Sequence, residues 1–301
     1  MGIVTPWYQM YPVVAPSLSQ MQGSIQVTDK QPLYDDPGIT GTYFFPMPGG
    51  PLPGQGRSGP VALSLPDGTA IGGYWCRELD GAPTMLYLHG NGECVGDQLN
   101  HWPHWAAEAG ANIFFVDYPG YATSDGVPTF TSCRLAAAAA LEHLLSRPEH
   151  EVPGVVLAGR SVGSIFALDA AASCPPARLR GLLLESGVAD IAPRLQIRVS
   201  YERLGIDRAE LERQLARDYD HRQKMESLAC PVTILHTRHD SLVPCHNSEQ
   251  LAAWAGARLV RLELFDQGDH NTIQWLNRGA YQEHLAELLA RWSAPTVQAP
   301  G

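Results

Sequence analysis

Val155-Val156-Leu157-Ala158-Gly159-Arg160-Ser161-Val162-Gly163-Ser164-Ile165-Phe166-Ala167-Leu168 is the stretch whose reading decides the fold. Its first four residues are a short apolar run suited to a strand buried on both faces, and a helical pattern follows from Val162. Between the two, Gly159 and Gly163 flank a serine at two residues on either side. A chain turning sharply from strand into helix holds that serine in strained backbone and would make side chains at the flanking positions collide, which glycine avoids. The helix beginning at Val162 also offers free N–H groups and its positive end to an oxyanion forming nearby. Ser161 is therefore a candidate nucleophile and Val162 N–H a candidate oxyanion donor; the plainer alternative is a glycine-rich turn without chemistry.

Working outward, apolar runs at Thr84 to Leu88, Asn112 to Val116, Val155 to Ala158, Gly181 to Leu184, Val232 to Leu235 and Leu259 to Phe265 alternate with helical patterns. The helical stretches are Gln98 to Ala109, Ser132 to Leu145, Val162 to Ala172, Asn247 to Ala255 and Thr272 to Ser293. Such alternation signals an α/β protein with a mostly parallel sheet. A hairpin precedes it, Val61 to Leu65 and Ala70 to Leu79 around Pro66-Asp67-Gly68. Residues 188–227 interrupt the alternation as a helical cap insertion, with Leu211, Leu215 and Tyr219 recurring every four residues. From Arg194 to Lys224 the insertion holds eight basic residues against six acidic ones. That balance fits either ordinary i,i+4 ion pairs on a solvated face or a lid favouring anionic substrates. Ten of the 24 prolines fall in residues 1–60, which read as an irregular Pro-rich N-terminal arm packed on the body 61–301, with partial strand character near Gly41 to Phe45.

A nucleophilic serine needs a base, and the base an orienting carboxylate. His270, in Gly268-Asp269-His270-Asn271, and Asp240, before Val243-Pro244, each follow a strand, where parallel sheets build their sites. Position singles out His270 among eleven histidines. Glu185, at the end of the Gly181 to Leu184 run, is the physical rival of Asp240. Asp269 is a poorer partner, since neighbouring side chains on extended backbone point apart. Upstream, Leu88-His89-Gly90-Asn91-Gly92-Glu93 closes another strand; its small Gly90 lets a backbone N–H approach a substrate oxygen, and Asn91 N–H is the first choice. A dinucleotide fingerprint there fails on spacing, because Val95 stands where the third glycine is required. His101 and His104 have no third residue spaced to complete a metal site, and His236, His239, Cys245 and His246 read as loop packing around Asp240.

Together His89-Gly90-Asn91, Asp117-Tyr118-Pro119-Gly120-Tyr121, the Ser161 elbow, the Asp240 loop and Gly268-Asp269-His270-Asn271 resemble the α/β-hydrolase superfamily, over about Val61 to Trp292. Within it the likeness is to Bem46-like hydrolases and to the acyl hydrolases of the α/β-hydrolase-domain 13 and 17 types. The resemblance implies an α/β-hydrolase fold with an eight-stranded, mostly parallel sheet, a Ser161-His270-Asp240 triad, hydrolysis of esters, thioesters or related acyl compounds, and no metal or organic cofactor. The depalmitoylating members have an N-terminus rich in lipidated cysteines, whereas the first cysteine here is Cys76, and Ala122 stands where glycine commonly follows the Gly-Tyr pair. The same triad serves acyltransferases, peptidases and perhydrolases, and a binding protein on a hydrolase fold is the reading from another class.

Composition narrows the partners. Twenty-one Lys and Arg against 31 Asp and Glu leave a net charge of -10, the wrong sign for neutralising phosphates, so nucleic acid is not expected. A small-molecule acyl substrate is. No apolar run approaches the roughly 18 residues of a membrane span. The six cysteines have no C-x-x-C spacing, and the first positive side chain is Lys30, so free thiols and a cytoplasmic location are expected.

Overall fold

A computed structural model describes residues 31–293. The first half of the arm, with Trp7, Tyr8 and Tyr11, lies outside the described residues. The strands are β1 (Gly59–Ser64), β2 (Ala70–Cys76), β3 (Thr84–Leu88), β4 (Asn112–Val116), β5 (Val155–Arg160), β6 (Leu179–Glu185), β7 (Val232–Thr237) and β8 (Leu259–Phe265). The helices are α1 (Pro37–Tyr43), α2 (Val95–Gln98), α3 (Trp102–Glu108), α4 (Phe130–Leu145), α5 (Gly163–Ser173), α6 (Ile191–Arg198), α7 (Tyr201–Leu204), α8 (Arg208–Asp218), α9 (His221–Ser227), α10 (His246–Ala255), α11 (Ile273–Leu276) and α12 (Arg278–Ser293).

One eight-stranded sheet runs in the order β1-β2-β4-β3-β5-β6-β7-β8. β2 is antiparallel to both β1 and β4, and every later pairing is parallel. The wholly buried β3, β4, β5 and β7 are those whose sequences are continuous apolar runs. The chain leaves β3 for β4 on one side and returns with β5 on the other, so β3 and β5 are neighbours whose following loops diverge. In open parallel sheets that reversal opens a crevice at the strands' C-terminal ends. The loops after β3 and β5 carry Asn91 and Ser161.

Two expectations need correction. Gly41 to Phe45 is not extended: Pro37–Tyr43 is helical, because Asp36 caps it by accepting from Gly38 N–H at 2.8 Å and Pro37 supplies a preset φ at its start. The stretches Gln98 to Ala109 and Thr272 to Ser293 are each interrupted, the second at Asn277, where α11 gives way to α12. Residues 188–227 form four short helices, with Leu211 and Leu215 buried along α8 and Tyr219 buried at its end. Tyr34, just ahead of α1, packs edge-on to Phe130 and Tyr219 and donates from Oη to Asp218 at 2.9 Å. The chain before β1 thereby joins α4 to the helices of 188–227. Of the six free cysteines, all but Cys245 are buried.

His143, on α4, is buried against Trp75 and Phe114, with ring centroids 5.8 and 5.4 Å away. Burial, helped by the Arg147 and Arg77 cations, pushes its pKa down to about 4 from 6.5. The folded imidazole stays neutral where an unfolded one gains a proton. Its contribution is therefore complete above pH 6.5 and is lost as pH falls toward 4. Unfolding titrations of His143→Leu should show an acid loss of stability smaller than the wild type's by about 3 kcal/mol across that window; parallel pH profiles would contradict this.

Candidate active site

Ser161 sits in the turn between β5 and α5 with φ of +53°, a left-handed conformation that costs a non-glycine residue energy. Both flanking glycines are required by contact. A Cβ on Gly163 would stand 2.1 Å from the Leu88 carbonyl oxygen, and one on Gly159 would stand 2.5 Å from the Gly163 oxygen and 2.6 Å from Ala167 Cβ. The first of these contacts seats the start of α5 directly on the end of β3. The elbow and the Asn91 turn are thus fixed side by side.

His270 reaches Ser161 from the loop after β8: its Nε2 lies 3.0 Å from Ser161 Oγ, and its Nδ1 donates to Asp240 Oδ2 at 2.6 Å. Asp240 Oδ1 accepts from Leu242 and Val243 N–H at 2.9 and 2.7 Å. His236, fully buried at the end of β7, adds a second imidazole, its Nε2 lying 3.1 Å from Asp240 Oδ2 and 2.8 Å from the Val243 carbonyl. Burial raises the Asp240 carboxyl, but the bonds from His236, His270 and Val243 outweigh it and hold the group well below the usual carboxylate range. It remains an anion against His270. The rivals are engaged elsewhere. Glu185 accepts from Arg160 Nε, Gln274 Nε2 and Tyr281 Oη at 2.8, 2.7 and 2.6 Å. Asp269 turns back on its own loop, accepting from Asn271 N–H and Thr272 N–H, each at 3.0 Å.

In the turn after β3, the Asn91 side chain is spent on structure: Nδ2 donates to the Tyr43 carbonyl at 2.5 Å, and Oδ1 accepts from Phe45 N–H and Tyr121 Oη, each at 2.7 Å. Its backbone N–H and that of Val162 have no protein acceptor among the described residues. Gly90 N–H donates to Glu93 Oε2 at 2.9 Å, so the donor a bound phosphate would use is taken by the chain's own carboxylate. His101 bonds Gln274 at 3.0 Å while the exposed His104 pairs with Glu108. Among the described residues no group of three His, Cys, Asp or Glu is placed to hold a metal.

One part of the site carries no sequence signature. Arg160, immediately before Ser161, is buried and spans three loops: Nε binds Glu185, Nη1 binds Glu93, and Nη2 donates to the His270 carbonyl at 2.5 Å. Burial lowers its pKa, but Glu93 and Glu185 more than offset that and keep it a cation. These partners lie 67, 25 and 110 residues away, separations that no local pattern encodes. Arg160→Met should leave the buried Glu185 and the part-buried Glu93 without their cation and destabilise the protein by about 3–5 kcal/mol in denaturant unfolding. A loss under about 1 kcal/mol, the range of an exposed pair, would show that the cluster contributes little.

No protein-family model matches the chain. The uncharacterized protein YfhR of Salmonella typhi is 28% identical over 241 residues, 73% of this chain and 76% of that protein. Protein bem46 of Schizosaccharomyces pombe is 27% identical over 208 residues, 69% and 67% of the two chains. The α/β hydrolase domain-containing protein WAV2 of Arabidopsis thaliana is 24% identical, over 76% and 80%. Among solved structures, the Pyrococcus furiosus esterase Pf2001 superposes with a TM-score of 0.62 at 15% identity, covering 82% of this chain and all of that one. Est1E from Butyrivibrio proteoclasticus gives 0.62 at 16%, covering 78% and 99%. The relatives in sequence and the neighbours in architecture point the same way: the chain has the α/β-hydrolase fold, and the proteins it resembles in sequence include protein bem46 and an α/β hydrolase domain-containing protein.

Proposed function

We propose that the protein is a serine hydrolase that cleaves a carboxylic ester or thioester through an acyl-enzyme. The observation that carries the reading is the continuous line from Ser161 Oγ through His270 to the Asp240 carboxylate, at 3.0 and 2.6 Å. Esterases among the neighbours in fold are consistent with hydrolysis. In the proposed reaction Ser161 Oγ attacks the acyl carbonyl while His270 Nε2 takes its proton. Asp240 fixes the tautomer that leaves Nε2 free and stabilises the imidazolium. Asn91 and Val162 N–H groups receive the negative charge that develops on the carbonyl oxygen. The imidazolium protonates the departing alcohol or thiol; water, deprotonated by the same histidine, then releases the acid and restores Ser161.

Assays of p-nitrophenyl esters of graded chain length beside acyl-CoA thioesters test the reaction and sort ester from thioester. Ser161→Ala and His270→Ala should each abolish turnover, and the double variant should be barely worse than either, because the pair acts as a unit. Asp240→Asn should cost on the order of 10⁴ in kcat, by analogy with the serine-protease triad, since it favours the wrong imidazole tautomer. Glu185→Gln should cost far less. Normal turnover by Ser161→Ala would refute the assignment, and a Glu185→Gln variant slower than Asp240→Asn would reassign the acid.

A further inference from the structure

Sequence left two readings of the basic residues in 188–227, and the structure separates them residue by residue. Arg208, Arg213, Arg217 and Arg222 bind Glu212, Glu210, Asp218 and Glu226 at 2.7 to 2.8 Å, and Lys224 binds Asp169. These are ordinary pairs, three of them within α8 and one within α9. Arg194, Arg198 and Arg203 have no carboxylate within 4.0 Å among the described residues. Arg203 is exposed on α7. Arg194 and Arg198 are one turn apart on α6 and so share a face of that helix.

That face meets the chain held by the Asn91 side chain. The helix α6 packs on α1, and the Arg198 guanidinium carbon lies 5.4 Å from the Phe45 ring centroid. Phe45 N–H and the Tyr43 carbonyl are the two groups held by the Asn91 side chain. Arg194 is half-buried and interacts electrostatically with Tyr43, Arg198 and the Asp240 carboxylate. Asp240 forms no direct ion pair with it, and both Asp240 oxygens accept bonds from His236, His270, Leu242 and Val243. Two guanidiniums one helical turn apart beside the chain that the Asn91 side chain holds, one of them partly desolvated and neither with a carboxylate within 4.0 Å among the described residues, are suited to forked recognition of an oxyanion.

We infer that Arg194 and Arg198 bind an anionic group, a carboxylate or phosphate, carried by the substrate away from its scissile bond. The substrate class is then an acyl ester or thioester bearing negative charge. This inference rests on the hydrolase reading above. The test compares mono-p-nitrophenyl glutarate with p-nitrophenyl pentanoate, which share a leaving group and nearly a chain length but differ in terminal charge. A phosphonate-terminated analogue distinguishes phosphate from carboxylate as the preferred anion. The wild type should favour the charged ester by about 10- to 100-fold in kcat/KM, a preference that shrinks as salt is raised. Arg194→Gln with Arg198→Gln should lower kcat/KM for the charged ester about 10-fold or more beyond any loss on the neutral one. A wild type that prefers the neutral ester, or a double variant that loses both equally, would overturn the inference while leaving the hydrolase reading intact. A wild type that turns over neither ester would overturn the hydrolase reading and the substrate class with it.

Discussion

A single buried guanidinium holds the site's loops to one another. Arg160 ends β5, the strand that delivers Ser161, and its three nitrogens meet Glu93 from the turn after β3, Glu185 from the end of β6 and the carbonyl of His270. The Asn91 turn and the His270 loop are thereby tied to the strand beneath the serine. A buried cation is expensive unless paired and fully bonded. Here each of its partners is itself fixed, Glu185 by Gln274 and Tyr281 and Glu93 by Gly90 N–H. The cluster lies behind the proposed triad and takes no part in the proposed proton transfer. It limits how far the serine, the histidine and the Asn91 turn can drift apart, and acyl transfer is sensitive to such drift.

On the opposite side the site is bounded by chain that enters from both ends of the fold. Asn91 holds Tyr43 and Phe45, Arg198 lies over Phe45, and Tyr34 is wedged between α4 and the end of α8. The segment ahead of the sheet and the helices between β6 and β7 therefore meet above the turn that offers Asn91 N–H. Charge is divided accordingly. Carboxylates behind the serine are bonded to Arg160 or to imidazole, whereas Arg194 and Arg198, with no carboxylate within 4.0 Å among the described residues, sit on the outer layer.

The sheet was legible because most of its strands are rich in apolar residues: Thr84–Leu88, Asn112–Val116 and, despite Arg261 and Glu263 within it, Leu259–Phe265 have the limits that composition suggests. Gly159 and Gly163 marked the elbow because the steric demand is local. By contrast, α1 was misread. Gly38 and Gly41 punctuate it and no apolar period is sustained, although Asp36-Pro37 at its start is a helix-opening signal. Arg160 was illegible as support for the site, and His236 was legible as packing around Asp240 but not as a second imidazole bonded to it. An arginine beside a serine, or a histidine four residues before an aspartate, has no meaning until the topology brings Glu93, Glu185 and His270 to one of them and closes the Asp240 turn on the other. In the basic segment sequence supplied the inventory of charges, and only the fold told paired residues from unpaired ones.

The central claim is that Ser161 is a nucleophile made reactive by His270 and Asp240. Treating the intact protein with a fluorophosphonate and locating the adduct by peptide mass spectrometry tests it without choosing a substrate. The account predicts one covalent phosphonyl group, on Ser161, formed far more slowly in His270→Ala and absent from Ser161→Ala. Folded wild-type protein that stays unlabelled, or that is labelled equally well when Ser161 is alanine, would contradict it.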